Sequence, residues 1–202
     1  MSRIIYFEKI GPQNTDETLR LAKDRADELG IRDIIVSSTR GWTGVRAIKY
    51  FKGHNIVIVN GSAVGTPWSN TLKEENRKII EENGGKILTC TMIFSNFNAA
   101  ISNKYHTYGW GLLISDVLRS FGEGTKVAIE IMMAAVDAGL VQPSKEVISI
   151  GGSGIGVDTA LVLKSTGSIN FFDFEVREII CKPRNNIRKF RSCECMHAHK
   201  QE

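Results

Sequence analysis

The sequence predicts an α/β protein whose largely parallel sheet is covered by helices on both faces and finished by an antiparallel edge. Three observations carry this. β-rich runs alternate with helical periodicity along most of the chain, as the crossover connections of parallel strands require. The runs IIVSS and NIVIVN are apolar without alternation, which is the pattern of strands covered on both sides. The rhythm then breaks: GGSGIG is followed by TALVLKST, another β-rich run, so two strands joined by a glycine-rich loop make the antiparallel edge.

Arg3 to Phe7 opens the chain as a short strand. Asn14 and Glu17 stand as an N-cap and its reciprocal partner. Leu19, Ala22, Ala26 and Leu29 follow at helical spacing, and Gly30 closes the helix. Asp33 to Ser38 is a buried strand, Val45 to Phe51 a short helix stopped near Gly53, and Asn55 to Asn60 a second buried strand. Thr71 and Glu74 form a capping box for a helix that ends at Gly84 and Gly85, before a strand from Lys86 to Cys90. Residues 91–124 are rich in Asn and aromatics and are expected to be irregular, a lid, with one helix from Leu112 to Phe121. Lys126 to Ala138 is apolar almost all round, which predicts a buried helix starting near Thr125 and ended by Gly139. Glu146 to Gly151 is the next strand, and Glu175 to Pro183 completes or flanks the antiparallel edge.

The chain has 202 residues, 42% of them hydrophobic and 24% charged, which suits one domain with a core of its own. No apolar run approaches the ~18 residues of a membrane helix, and MSRIIYFEKIGP lacks the apolar stretch of a signal peptide. Four cysteines without framework spacing fit reduced thiols, so a cytoplasmic protein is expected. The net charge of +4 belongs to the tail: residues 181–202 hold six Lys and Arg against two Glu. The body is therefore balanced and has no field to gather nucleic acid or a membrane surface. Residues 1–184 read as the domain and 185–202 as a basic, Cys/His-containing, flexible tail.

Four groups of residues could carry chemistry. SSTRGWTG (Ser37, Ser38, Thr39, Gly41, Thr43 and Gly44 within it) follows a strand and opens a helix, so hydroxyls meet unpaired first-turn amides and the positive end of the helix dipole. That composition suits an anion, although on local composition alone a plain turn with Thr43 as N-cap is the favoured reading, since Ser or Thr is the usual N-cap. GGSGIGVDTA, from Gly151 to Ala160, is not a dinucleotide fingerprint, because no helix follows it. It can be a nest of amides for a phosphate, or a hairpin loop. Glu130, seven residues before Asp137 on one helix face, belongs either to a polar stripe or to a cleft as an acid; with Asp158 it is a candidate catalytic group. Cys193, Cys195, His197 and His199 alternate, a soft ligand set for zinc or copper, in a segment whose composition also fits a disordered tail.

The stretches IEIMMAAVDAG, IGGSGIGVDTALVL and NFFDFEVREIICKPR, with SSTRGWTG, resemble the α/β domain at the carboxyl end of pyruvate kinase, and more closely its free-standing archaeal-type relatives, over residues 3–184. The resemblance implies three α/β/α layers around a five-stranded, mostly parallel mixed sheet with one antiparallel edge strand. It does not imply kinase activity, since 202 residues leave no room for a catalytic barrel of ~250. It implies a ligand pocket at the strand ends. In pyruvate kinase this region takes a phosphorylated sugar effector; the free-standing relatives look like binders of flavin mononucleotide. By motif position Ser38, Gly41 and Thr43 match the first loop, and Gly151, Gly152, Ser153, Asp158 and Thr159 the second. Two departures stand out: Gly44 replaces the usual alanine, which is expected to loosen the helix start, and NGSAVGTPW lacks the expected His-Thr-Gly-Phe sort of turn.

The leading expectation is thus a phosphate-anchored small-molecule binder, with flavin mononucleotide as cofactor. The alternatives are an enzyme acting on a phosphorylated metabolite and a regulatory module that pairs subunits into a homo-oligomer.

Overall fold

A computed structural model describes residues 3–61 and 72–185 of the chain. Seven strands form one sheet: β1 (Ile5–Phe7), β2 (Asp33–Ser37), β3 (Asn55–Asn60), β4 (Lys86–Thr89), β5 (Glu146–Gly151), β6 (Thr159–Lys164) and β7 (Glu175–Pro183). Their order is β1-β7-β6-β5-β2-β3-β4. β5, β2, β3 and β4 run parallel, β6 is antiparallel to both β5 and β7, and β1 runs parallel to β7.

The helices α1 (Thr15–Leu29), α2 (Trp42–Tyr50) and α3 (Glu74–Glu82) share one core with one face of the sheet. On the other face α6 (Glu123–Asp137) packs directly on β5, β2 and β6; α5 (Trp110–Arg119) covers α6, and α4 (Asn96–Tyr105) covers α5. The protein is therefore a three-layer α/β/α fold. The alternating β-runs and helices dictated it: Ile34, Ile35 and Val36, like Ile56, Val57 and Ile58, are buried on both sides of the sheet.

Two expectations about the sheet need correction. The sheet has seven strands, not five, and the antiparallel strand β6 lies in the interior. β7 hydrogen-bonds along its far side and β1 adds beyond, so the true edges are β1 and β4. The expected lid is also more regular than its Asn-rich sequence suggests, because α4 and α5 occupy most of it.

Helix starts were the least legible feature. Asn14 makes no capping bond to α1; its side-chain amide donates to the Lys9 carbonyl at 2.7 Å. Lys73, not Thr71, precedes α3, and Thr71 lies outside the described residues. α2 begins at Trp42 after Gly41, so Thr43 sits inside the helix and is not its N-cap. α6 begins at Glu123, three residues before the expected Lys126. The glycine stops were legible: Gly30 and Gly139 adopt φ of 68° and 70°.

Two glycines bring elements unusually close. A Cβ on Gly151 would stand 2.3 Å from the Gly124 carbonyl oxygen and 2.9 Å from the Ala128 nitrogen. Both are backbone atoms, so the end of β5 touches the first turns of α6 with no side chain between them. On the opposite face, a Cβ on Gly44 would meet Ile58 and Ile80 at 2.9 and 2.8 Å. Gly44 thus seats α2 tightly on β3 and α3 and does not loosen the helix start.

Gly151→Ala should cost on the order of 1–3 kcal/mol, the range for forcing extra volume into a packed core. Urea unfolding followed by circular dichroism measures this. A stability unchanged from wild type would mean that α6 does not rest on β5 as described.

Candidate functional site

The chain order reverses at the junction of β2 and β5. From β2 the sheet grows through α2 to β3 on one side, while β5 returns from β4 through α4, α5 and α6 to β2's other side. Crevices at such reversals, outside the carboxyl ends of the strands, are where open α/β sheets take ligands. The strand ends there are Ser37 and Gly151, and the two loops that leave them are those singled out in the sequence.

The first loop, residues 38–41, is held from below. The Ser38 N–H donates to the Val59 carbonyl at 2.9 Å, and the Ser38 hydroxyl accepts the Gly44 N–H at 3.0 Å. Ser38 therefore caps the third residue of α2 from a distance. Gly41 adopts φ of 91°, a left-handed conformation that turns the chain into the helix. No side chain caps the Gly41 position, and the first-turn amides of Trp42 and Thr43 have no acceptor within the helix. Thr39 is exposed and Ser37 partly buried, while Thr43 is buried to 8% exposure.

Around this turn the fold gathers groups that the sequence reading overlooked. The Arg40 carbonyl accepts from the Asn76 side-chain amide at 2.8 Å, which ties the turn to α3. The Trp42 ring is half exposed, with the Arg40 guanidinium and the Lys73 ammonium each 5.9 Å from its centroid. Arg40 and Trp42 lie within SSTRGWTG and could have been noticed. Lys73 arrives only because α3 starts beside α2, and no local signal announces that.

The second loop, residues 152–158, is built around Asp158. Its carboxylate is 1% exposed and accepts from the Gly11 N–H at 3.2 Å, the Ser153 hydroxyl at 3.2 Å and the Thr159 hydroxyl at 3.1 Å. Burial pushes the Asp158 carboxyl above its usual range, and these three donors oppose that shift. Thr15 accepts the Val157 N–H at 3.2 Å, and the Asp158 N–H donates to the Gly151 carbonyl at 3.1 Å. The side chains of Ser153, Asp158 and Thr159 thus fasten the loop to the start of β6 and to the segment before α1. Gly156 takes the positive φ, 75°, with Thr15 and Pro12 against it. Gly152 is needed for space: a Cβ there would lie 2.1 Å from the Gly156 carbonyl oxygen.

Glu130 lies elsewhere. It is 1% exposed in the second turn of α6, paired with Lys126, itself 3% exposed, and it accepts the Phe94 N–H at 2.7 Å. Lys126 also reaches the Ser95 hydroxyl at 3.3 Å. The pair fixes the segment after β4 to α6, and Glu130 does not join Asp137 in an exposed polar stripe; Asp137 accepts the Ser168 N–H at 2.9 Å. The sequence reading named Glu130 but missed Lys126, whose i,i+4 spacing was the available signal.

Cys193, Cys195, His197 and His199 lie outside the described residues, as does most of NGSAVGTPW. Among the described residues no cluster of metal-ligating side chains occurs, and no helix is long and apolar enough to cross a membrane. A cleft of about 350 Å³ lies at the opposite ends of the strands, where β5 starts and β6 finishes, lined by Pro143, Ser144, Lys164 and Phe172 among others.

A three-layer α/β/α domain with its candidate site at the sheet reversal is the class that fold and site define. Residues 16–163 match the family described as pyruvate kinase, alpha/beta domain, and the chain belongs to that family. The match runs from α1 to β6 and so holds five of the seven strands; β1 and β7 lie outside it. Among solved structures, the chain is similar to a mutant of O-ureido-L-serine synthase crystallised with O-ureido-L-serine, at 21% identity and a TM-score of 0.28. That similarity covers 59% of this chain and 38% of the synthase chain.

Asp158→Ala should cost about 3 kcal/mol, because it strands one partly buried N–H and two buried hydroxyls at about 1–3 kcal/mol for each buried group left unsatisfied, less what the loop recovers by relaxing. Asp158→Asn keeps an acceptor and should cost far less. The sign of the pH effect follows from the raised folded-state pKa: the carboxyl's contribution is full below the unfolded value of about 3.8 and falls as pH rises through the folded value. Relative to wild type, Asp158→Asn should therefore be better tolerated at pH 7 than at pH 3.5. Unfolding at the two pH values checks this; the opposite ranking would mean that Asp158 is stabilised as a carboxylate.

Proposed function

We propose that this protein binds a phosphorylated small molecule at the β2/β5 reversal, with the phosphate on the first turn of α2, and that the ligand is flavin mononucleotide. The observation that carries the reading is the donor set at that turn. The amides of Trp42 and Thr43 open one helix N-terminus at the strand ends, Thr39 lies in the turn before it and Thr43 in its first turn, and the Arg40 and Lys73 cations stand 5.9 Å from the Trp42 ring centroid. A phosphate dianion matches such a set in charge and in its need for several donors. The half-exposed Trp42 ring offers a planar surface against which a flavin ring can pack. When bound, the flavin would supply a redox-active ring; the chain's own part is to hold the phosphate and orient the ring.

In this reading the second loop forms the other wall. Its inward-turned side chains hold its backbone in place, so the amides of the loop, not the hydroxyls of Ser153 and Thr159, face the ligand.

Thr43→Val keeps the β-branched shape and removes one hydroxyl. It should weaken flavin mononucleotide by about 1.5–3 kcal/mol, the range for hydrogen bonds to charged groups, and leave riboflavin nearly unchanged. Gly152→Val should weaken both, because its side chain collides with the Gly156 carbonyl and displaces the loop. Calorimetric titration of both ligands against wild type and the two variants reads the contrast. Equal weakening of the two ligands by Thr43→Val, or no flavin binding by the wild type, would overturn the assignment.

A further inference from the structure

The helix α5, WGLLISDVLR, is apolar nearly all round, yet the described residues cover one side only. Ile114 and Leu118 enter the core against α6. On the other side Trp110, Leu113 and Val117 are 84%, 57% and 57% exposed, and Phe121, just past the helix, is 58% exposed. At 100° and 1.5 Å per residue these four fall within an arc of about 80° and form one stripe about 16 Å long. The carboxyl end of β7 arrives at the Phe121 end of that stripe. Lys182 alternates with Cys181, which is buried on the α1 side of the sheet, so the Lys182 side chain points to the α6 side. There its Cε stands 3.5 Å from where a Cβ on Gly122 would lie, and Gly122 is the residue after Phe121. The Arg184 N–H donates to the Phe7 carbonyl at 2.9 Å, which ties the chain to the sheet up to this point.

We infer that the chain's own continuation beyond Asn185 docks on this stripe, with Ile187 beside Phe121 and Phe190 over Val117 and Leu113. The composition of residues 185–202 is that of a solvated tail, and Ile187 and Phe190 are the large apolar side chains of its basic first part, NNIRKFR. The reach fits. At ~3.4 Å per extended residue, the chain from Asn185 to Phe190 spans about 17 Å, the length of the stripe. Proximity favours this occupant over any free one, because a segment tethered so close has an effective concentration on the order of millimolar. Charge does not oppose it. The ion cluster beside the stripe holds two carboxylates, Asp116 and Glu123, to one guanidinium, Arg119, so it does not repel Arg188, Lys189 and Arg191.

Nuclear magnetic resonance of isotope-labelled full chain tests this, read at the Trp110 indole N–H and the Leu113 and Val117 amides and methyls, which lie away from the end of β7. Phe190→Asp should shift these signals, and Phe190→Leu should leave them close to wild type. A chain ended after Asn185 should show them where Phe190→Asp does, with the signals of α1, α2 and α3 unchanged. The wild-type positions should be the same at tens and at hundreds of micromolar, because the contact lies within one molecule. Phe190→Asp keeps the whole chain, so it decides the matter even where the shortened chain fails to fold. Stripe signals that are identical in wild type and Phe190→Asp overturn the inference. So do wild-type signals that move as the concentration rises, since a second molecule then covers the stripe.

Discussion

The structure depends on a backbone contact between the end of β5 and the first turns of α6. Gly124 and Gly151 leave no Cβ between them, and Gly124 also lies against Thr159 and Asp158. The start of α6, the end of β5 and the start of β6 are thereby fixed at one point. The loop that joins β5 to β6 has its two ends set by that contact, and Asp158, its last residue, ties it to Gly11. Because β5 is also the neighbour of β2, the same contact sets the distance between the two loops that frame the sheet reversal. Packing at the core and geometry at the candidate site are one arrangement.

The two loops at the sheet reversal differ in how they are stabilised. The first loop leaves donors available: Ser38 is committed to Gly44 and Lys73 reaches Glu75 at 3.5 Å, but the amides of Trp42 and Thr43 have no acceptor within the helix. The second loop consumes its polar side chains internally, at the cost of burying a carboxylate whose pKa is raised by desolvation. A rigid wall opposite a donor-rich turn is suited to a ligand gripped at one end and merely confined at the other.

Much of this was legible in the amino-acid order. β3, β5 and β7 have the boundaries that their apolar runs and flanking turn residues predict, and Leu19, Ala22 and Ala26 are fully buried at their helical spacing. The helix starts at Trp42 and Glu123 were not legible, because Gly41 and Gly122 precede them where a Ser, Thr or Asp cap was sought. The place of β1 was hidden too, since its partner β7 lies some 175 residues away in the chain and no local pattern encodes that pairing. At the site, the residue types were visible but their roles were not. Ser153 and Thr159 look like phosphate donors in sequence, and only their proximity to Asp158 turns them inward, while Lys73 becomes part of the site solely through the packing of α3 beside α2.

The claim that most needs testing is that the ligand sits at the β2/β5 reversal with its phosphate on α2. Backbone amide chemical shifts, followed by nuclear magnetic resonance while flavin mononucleotide is titrated into isotope-labelled protein, test it most directly. The account predicts the largest changes at Trp42 and Thr43, with a second group at Ser153 and Gly154. Changes concentrated around Ser144, Lys164 and Phe172, at the opposite ends of the strands, would contradict it.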